Sequence, residues 1–338
     1  MSSERRDFLR TTGAVALGAA VATATSTAGT ARAAAPATAT GLPPSLISPW
    51  RAASDPQITR WEHAKSSSFE QDWTVDFQGM CTDGRYWYVV SNYENANRRR
   101  VYKLSFDLRT VVGYLGAPSS YLHIGSPTYD SERRLVYVPT HEGTEPTMIW
   151  KINPDPLTTH SQVRMLGRTS GSRSPQKWKN PWLAYNSFDR LVYSSWSGSI
   201  LDDDSLPRAE KIWGYDRDTG LLVKEIGLPS GLHHVQGGTF GYGGRNLFLA
   251  SDYPEASNGR KHIYSYDFTN VRDGDTTRSW GKIAIPHSDD EVECVTLAHL
   301  DWSDARDTYI TVGILDDDWP SRDDVYFRHF WVPSPADL

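Results

Sequence analysis

From Asp76 onward the chain sets short apolar runs between clusters of Gly, Pro, Asp and Asn, a pattern that predicts β-strands joined by turns. The runs recur as a unit. The first reads Asp76-Phe-Gln-Gly-Met-Cys-Thr-Asp83, turns at Gly84-Arg85, continues Tyr86-Trp-Tyr-Val-Val-Ser91 and resumes at Val101-Tyr-Lys-Leu-Ser-Phe-Asp107. Four more begin at His123, Lys179, His234 and Glu291, with second strands near Leu135, Leu191, Leu247 and Tyr309 and third strands near Met148, Lys211, His262 and Val325. Their spacing, roughly 45 to 57 residues, matches the blade repeats of propellers.

A weaker fourth strand follows in some units, as at Thr110–Tyr114 and Leu221–Glu225. Five four-stranded units predict an all-β chain, a five-bladed β-propeller. The last unit runs out after its third strand. The segment Gln57–His63 is expected to supply the missing outer strand and close the ring, since an open edge invites aggregation. Links between first and second strands are tight. Those between second and third strands are mostly long: Asn92–Arg100, His141–Thr147, Ser197–Glu210, Asp252–Lys261 and Asp316–Asp324. They are predicted to gather on the face where the innermost strands begin, the usual place for function.

The repeat then brings distant residues together. The innermost strands begin with Asp76, His123, Lys179, His234 and Glu291, and two positions on stand Gln78, Gly125, Pro181, Gln236 and Glu293. Period-two alternation puts both sets toward the axis. Such a ring admits several readings. His123, His234 and Glu291 suit a divalent metal, either Zn or, with a more carboxylate-rich set, Ca. Without metal, Glu291 or Glu293 beside other acids would be the acid, with His as base and Asp76 assisting. A polar plug holding trapped water is the bland alternative. Lys179 fits a salt bridge or an anionic substrate group. On the rim, His141-Glu142, Trp196 and Asp252-Tyr253 follow second strands, where aromatic rings suit stacking on a sugar or packing beneath loops. Gln78, Gln236, His141, Trp196 and Tyr253 are thus candidate substrate contacts. The acidic runs Asp202–Asp204 and Asp316–Asp318 lack the alternation of an EF-hand loop and read as solvated tips.

Composition narrows the partners. The 338 residues carry a net charge of −6, which argues against nucleic acid. Arg98-Arg99-Arg100 reads as a solvated turn. At the N-terminus, Ser3-Glu-Arg-Arg-Asp-Phe-Leu-Arg10 resembles the twin-arginine translocation motif, followed by a mild apolar stretch and Ala31-Arg32-Ala33 at signal-peptidase spacing. The stretch is too short to span a membrane. The expected organisation is therefore a signal peptide over 1–33, an Ala/Pro/Thr-rich linker over 34–56 and the propeller over 57–338, secreted and monomeric. Front-to-back packing of neighbouring blades separates Cys81 from Cys294, so two buried free thiols are expected. No Gly-x-Ser-x-Gly elbow occurs.

Two fragments carry a resemblance. Phe77-Gln-Gly-Met80 is similar to the Phe-Thr-Gln-Gly-Leu of plant-type and bacterial glutaminyl cyclases, without its Thr, and Glu291-Val-Glu-Cys-Val295 is similar to their Glu-Leu-Glu-Tyr-Ile. The resemblance implies a five-bladed propeller with a central metal, and Glu291 or Glu293 as acid/base residue.

The sequence leads to an exported hydrolase or lyase acting on a small molecule or saccharide at the channel mouth. A lectin-like binding propeller and a cyclase-like acyltransferase are the alternatives. A lectin would repeat similar pockets on every blade, whereas here the ring is unequal.

Overall fold

The computed structural model of the chain describes residues 63–69, 71–93, 98–141, 147–175, 182–196, 208–255, 259–285, 290–299, 308–316 and 324–332. These form five antiparallel sheets arranged as the blades of a β-propeller. Blade one contains β2 (Phe77–Thr82), β3 (Tyr86–Ser91), β4 (Arg100–Ser105) and β5 (Val111–Gly116). Blade two contains β6 (His123–Ile124), β7 (Thr128–Asp130), β8 (Leu135–His141), β9 (Met148–Pro154) and β10 (Leu157–Arg164). Its innermost strand is broken between Ile124 and Thr128, where Pro127 has no N–H to offer the ladder. Blade three contains β11 (Ala184–Tyr185), β12 (Leu191–Ser195), β13 (Ala209–Asp216) and β14 (Leu222–Leu232). Blade four contains β15 (Val235–Phe240), β16 (Asn246–Ser251), β17 (His262–Asp267) and β18 (Arg278–Ala284).

Blade five is built from both ends of the domain. β19 (Glu291–His299), β20 (Thr308–Asp316) and β21 (Asp324–Val332) take β1 (His63–Phe69) as their outermost strand. β1 runs antiparallel to β21, from His63 opposite Phe330 to Phe69 opposite Val325. The ring closes as expected, with a different segment. The strand was expected at Gln57–His63, the spare segment ahead of the first unit, but an outermost strand is held by its backbone ladder and needs no apolar pattern, so the polar Ser66-Ser67-Ser68 serves. All of Gln57–His63 except His63 lies outside the described residues.

Middle strands such as β3, β8, β12 and β16 are buried on both faces, because each blade packs between two neighbours. The core accordingly divides into five clusters, one for each blade junction. Trp73, Phe77, Trp87 and Phe327 join blades five and one, and Val138, Trp150 and Tyr121 fill the junction of blades one and two. Tyr137, Tyr185 and Trp213 lie between two and three, Trp182, Tyr193 and Phe240 between three and four, and Phe248, Val292 and Phe330 between four and five. Cys81 belongs to the one–two cluster and Cys294 to the five–one cluster, and both are buried free thiols. Burial drives both thiols upward in pKa, Cys294 to about 12.

A polar fastener recurs at the opposite end of the innermost strands. The third residue of the second strand is Tyr88, Tyr137 or Tyr193 in the first three blades. Each donates its hydroxyl hydrogen to the Asp of the preceding turn: to Asp83 at 2.8 Å, Asp130 at 2.7 Å and Asp189 at 2.6 Å. The other oxygen of each Asp accepts turn N–H groups, so one carboxylate sets both the turn and the ring. Among the described residues no helix is long and apolar enough to cross a membrane.

Candidate functional site

The polar residues at the starts of the innermost strands are placed by two backbone devices. The first is a left-handed residue just ahead of the strand. Asp76 (φ 50°) and His234 (φ 43°) occupy equivalent positions in blades one and four, and each gives its carbonyl to the residue beyond the second strand, Asn92 and Asp252. Non-glycine residues in this region cost of order 1–3 kcal/mol, which the surrounding ladder must hold in place. The second device is a bulge. The register slips between Phe77 and Gly79, between Val235 and Gly237, and between Val292 and Cys294. The extra residue in each case is polar: Gln78, Gln236 or Glu293. A bulge re-aims its side chain out of the strand's ordinary alternation.

The glycine after each glutamine lets neighbouring innermost strands approach. A Cβ on Gly79 (φ 135°) would sit 2.4 Å from Ser126 Oγ of blade two, and one on Gly237 would sit 2.5 Å from Val295 N of blade five.

Around the mouth, the repeat produces rungs between the start of the first strand and the end of the second: Asp76 with Asn92, His123 with His141, His234 with Asp252, and Glu291 opposite Leu315. Their chemistry differs. His123 and His141 stack with ring centroids 5.6 Å apart and planes 17° apart. His123 Nε2 lies 2.8 Å from Gln78 Oε1 and so donates to it, while Gln78 Nε2 donates to Asp76 Oδ1 at 3.2 Å.

On blades four and five, His234 Nδ1 lies 3.2 Å from Asp252 Oδ2 and Lys261 Nζ lies 2.6 Å from Asp252 Oδ1. All three side chains are about nine-tenths buried. Asp252 Oδ1 also accepts the Val292 N–H at 2.6 Å, and Lys261 donates to the Asp290 carbonyl at 2.5 Å. A carboxylate on Nδ1 fixes the imidazole orientation and leaves Nε2 as the lone-pair nitrogen of the neutral ring.

Glu291 and Glu293 form a hydrogen-bonded carboxyl pair, and Gln236 Nε2 donates to Glu291 Oε1 at 3.3 Å. Glu293 is 2% exposed. Burial, then the charges of Glu291, Asp252 and Asp76, hold its pKa well above the usual carboxylate range, so it carries the proton and donates to Glu291. Burial, then Asp252, also raises Glu291, against the opposing influence of His234, Glu293 and Lys261.

Ligand atoms of His234, Asp252 and Glu291 lie within 4.8 Å of one another. The sequence suggested His123, His234 and Glu291 as metal ligands; the geometry groups Asp252 with His234 and Glu291, while His123 turns to Gln78. Nitrogen plus carboxylate oxygens fit the implied central ion in donor type. The position next to Asp252 is nonetheless held by the Lys261 ammonium, which supplies positive charge there.

The remaining sequence candidates fall as follows. Tyr253 is half-buried and stacks on His233, with centroids 4.5 Å apart and planes at 34°. Trp196 packs with Trp213 at 6.4 Å and adjoins the core between blades two and three, apart from the groups above. Asp316 ends β20 opposite Asp324. Lys179, Pro181, Glu142, Asp202–Asp204, Asp317 and Asp318 lie outside the described residues. Sequence reasoning missed Lys261 and Asn92. Lys261 has a structural counterpart in Arg99, likewise the last residue before a third strand, which reaches the next blade through the Tyr121 carbonyl at 2.6 Å.

No protein-family model and no curated protein matches the sequence. Among solved structures, the chain is similar to one in the crystal structure of a mitotic checkpoint complex, at 11% identity and TM-score 0.38 over 78% of this chain and 68% of that one. It is also similar to the tail fiber of Staphylococcus aureus phage P68, at 10% identity and TM-score 0.49 over 82% of this chain, and it spans 55% of the tail-fiber chain.

Proposed function

We propose that this propeller is an exported acid–base enzyme, a hydrolase or lyase acting on a small molecule or saccharide at the channel mouth. The observation that carries the reading is the juxtaposition of a carboxylate-oriented imidazole, His234 on Asp252, with a proton-sharing carboxyl pair, Glu291 and Glu293. His234 Nε2 is the base. Glu291, half-buried, passes the proton held on Glu293 to the leaving group, and the proton taken by His234 goes back to the carboxyl pair through solvent. A base facing an acid across the reacting bond is what elimination or hydrolysis requires. The two glutamates touch each other, whereas carboxylates that flank a glycosidic bond stand about 5 Å or more apart. The reading therefore favours histidine-driven chemistry over displacement by a carboxylate pair.

A second reading, a divalent ion held by His234, Asp252 and Glu291, is favoured by the closeness of their ligand atoms. Such an ion would polarise a substrate oxygen, with Lys261 displaced from Asp252.

The test is a substrate screen on the full chain and on His234→Gln, with metal content measured in both. The panel spans saccharides, esters and, because of the cyclase resemblance, peptides starting with Gln. Turnover lost by at least about a hundredfold in the variant sustains the acid–base reading. Turnover unaffected by it sinks the reading, and one equivalent of metal lost in the variant selects the second.

A further inference from the structure

The outermost strand of blade one is unlike the other four. β5 carries neither a charged residue nor a proline, whereas β1, β10, β14 and β18 each carry at least one charge. β5 is the last strand of its sheet, and just beyond it the Ala117 N–H bonds the Arg99 carbonyl. Alternation from that pair turns the N–H groups of Tyr114 and Gly116 away from β4. Val111, Val112 and Tyr114 stand exposed, three of the six large apolar residues that do so among the described residues. The Tyr114 ring is held in place. Arg100 lies 4.2 Å from its centroid and donates to the Tyr102 hydroxyl at 3.4 Å. Natural edges carry charge or proline because an unprotected one pairs with other strands, so an edge left this way needs a cover.

Topology and chain length point to the cover. In blades five and one alike, the outermost strand starts beside the end of the third strand: His63 opposite Phe330, and Val111 opposite Leu104. These two blades are neighbours that share one core cluster. The chain ahead of His63 therefore enters at the level of Val111, one blade away. The twelve residues 51–62 can span up to about 40 Å. Before them no charge occurs between Arg32 and Arg51, and the stretch ends Pro44-Ser-Leu-Ile-Ser-Pro-Trp50. That stretch lies ahead of the described residues.

We propose that Ser45–Ser48 adds to β5 as a fifth, antiparallel strand, with Leu46, Ile47 and Trp50 against the surface of Val111, Val112 and Tyr114. An antiparallel course ends the added strand beside Val111, the end from which residues 51–62 lead on to His63. Pro44 and Pro49 then blunt the new edge, the protection that β5 itself lacks. Magnitude decides against a second copy of the chain as the occupant. A stable interface takes about 20–30 residues a side, and β5 offers six. A tether of twelve residues holds the segment at an effective concentration on the order of 1 mM, so weak pairing is enough.

Hydrogen exchange of the full chain, read at single amides, tests this. The Tyr114 and Gly116 amides should exchange at least about tenfold more slowly in the wild type than in the triple variant Leu46→Ser/Ile47→Ser/Trp50→Ser. The Leu115 amide, which faces β4, should exchange alike in both and so shows that blade one is intact. Val112→Lys, on the other side of the contact, should free the same two amides. Protection should survive about a hundredfold dilution, as a tethered strand demands. Free exchange at Tyr114 and Gly116 in the wild type overturns the proposal, as does protection that persists in the triple variant. Protection lost on dilution also overturns it, by giving the edge to a second copy.

Discussion

Asn92 and Asp252 hold the next blade with the same atom. Asn92 Oδ1 accepts the Ile124 N–H at 3.0 Å, and Asp252 Oδ1 accepts the Val292 N–H at 2.6 Å. A neutral amide suffices for the clasp. The carboxylate at 252 therefore has a second task, which its other oxygen performs on His234.

Substitution separates the two tasks. Asn92→Ala should cost about 1–3 kcal/mol, the usual penalty for a buried N–H left without an acceptor. Asp252→Ala should cost more, about 3–5 kcal/mol, because it also leaves the Lys261 ammonium buried without its carboxylate. Asp252→Asn should recover part of that loss, since the acceptor for Val292 returns, but no activity. Urea midpoints of the three variants, read beside turnover, check the order.

The carboxyl pair gives a measurable slope of stability with pH. Folded Glu291 and Glu293 retain protons that the unfolded chain releases near its ordinary value of 4.5. Their stabilising contribution is complete below that value and declines as pH rises above it. Glu132, Glu225, Glu255 and Asp273 are shifted the other way, chiefly by hydrogen bonds from Arg217, Lys211, Lys282 and Arg168, and lose stability as pH falls below about 4.5. Burial lowers the pKa of His262, which works the opposite way between pH 5 and pH 8, so the pair is read by difference: from pH 5 to pH 8 the melting temperature should fall more, or rise less, in the wild type than in Glu293→Gln. A Gln variant with the wild-type slope would count against a protonated Glu293.

A second pH limit lies on the alkaline side. Burial, together with Asp83, Asp130 and Asp189, raises the pKa of Tyr88, Tyr137 and Tyr193 above the unfolded value of 10.0. Unfolded tyrosines ionise first, so stability is intact below pH 10 and falls as pH climbs beyond it. Tyr137→Phe, which removes one of two donors to Asp130 Oδ2 and leaves the one from Arg217, should cost about 0.5–1.5 kcal/mol. Blade four already carries Phe248 at this place, so Phe248→Tyr is expected to give no matching gain.

Close approach of innermost strands should make the bulge glycines intolerant. Gly237→Ala forces its Cβ against the Val295 and Cys294 backbone and should destabilise by about 1–3 kcal/mol. Gly79→Ala adds a positive φ to a similar clash with Ser126. Denaturant melts of either variant, compared with Gly113→Ala in the open space of β5, measure the difference.

Much of this architecture is legible in the chain. Tyr86–Ser91 and Leu135–Val138 announce buried strands through continuous apolar runs, and aligning the repeats puts His234 and Glu291 at one mouth. Alternation alone could not place Gln78, Gln236 and Glu293, because each occupies a bulge that breaks period two. Lys261 was hidden for a different reason. Its contacts with Asp252 and Asp290 depend on the path of a long loop, which composition does not specify. The outermost strand β1 was displaced because its Ser66-Ser67-Ser68 run lacks the apolar pattern on which strand reading depends.

The seam between β1 and β21 also has a mechanical consequence. His63 stands opposite Phe330, so the first and last residues of the closing pair lie at the same end of the ladder. Tension applied through the two ends of the domain would load the hydrogen bonds one after another, as a zipper is opened, rather than all together in shear. Rejoining them spans a loop of roughly 250 residues, an entropic cost of about 5 kcal/mol. The ring is thus easiest to open where it is slowest to close, and a pulling experiment should find its first rupture there.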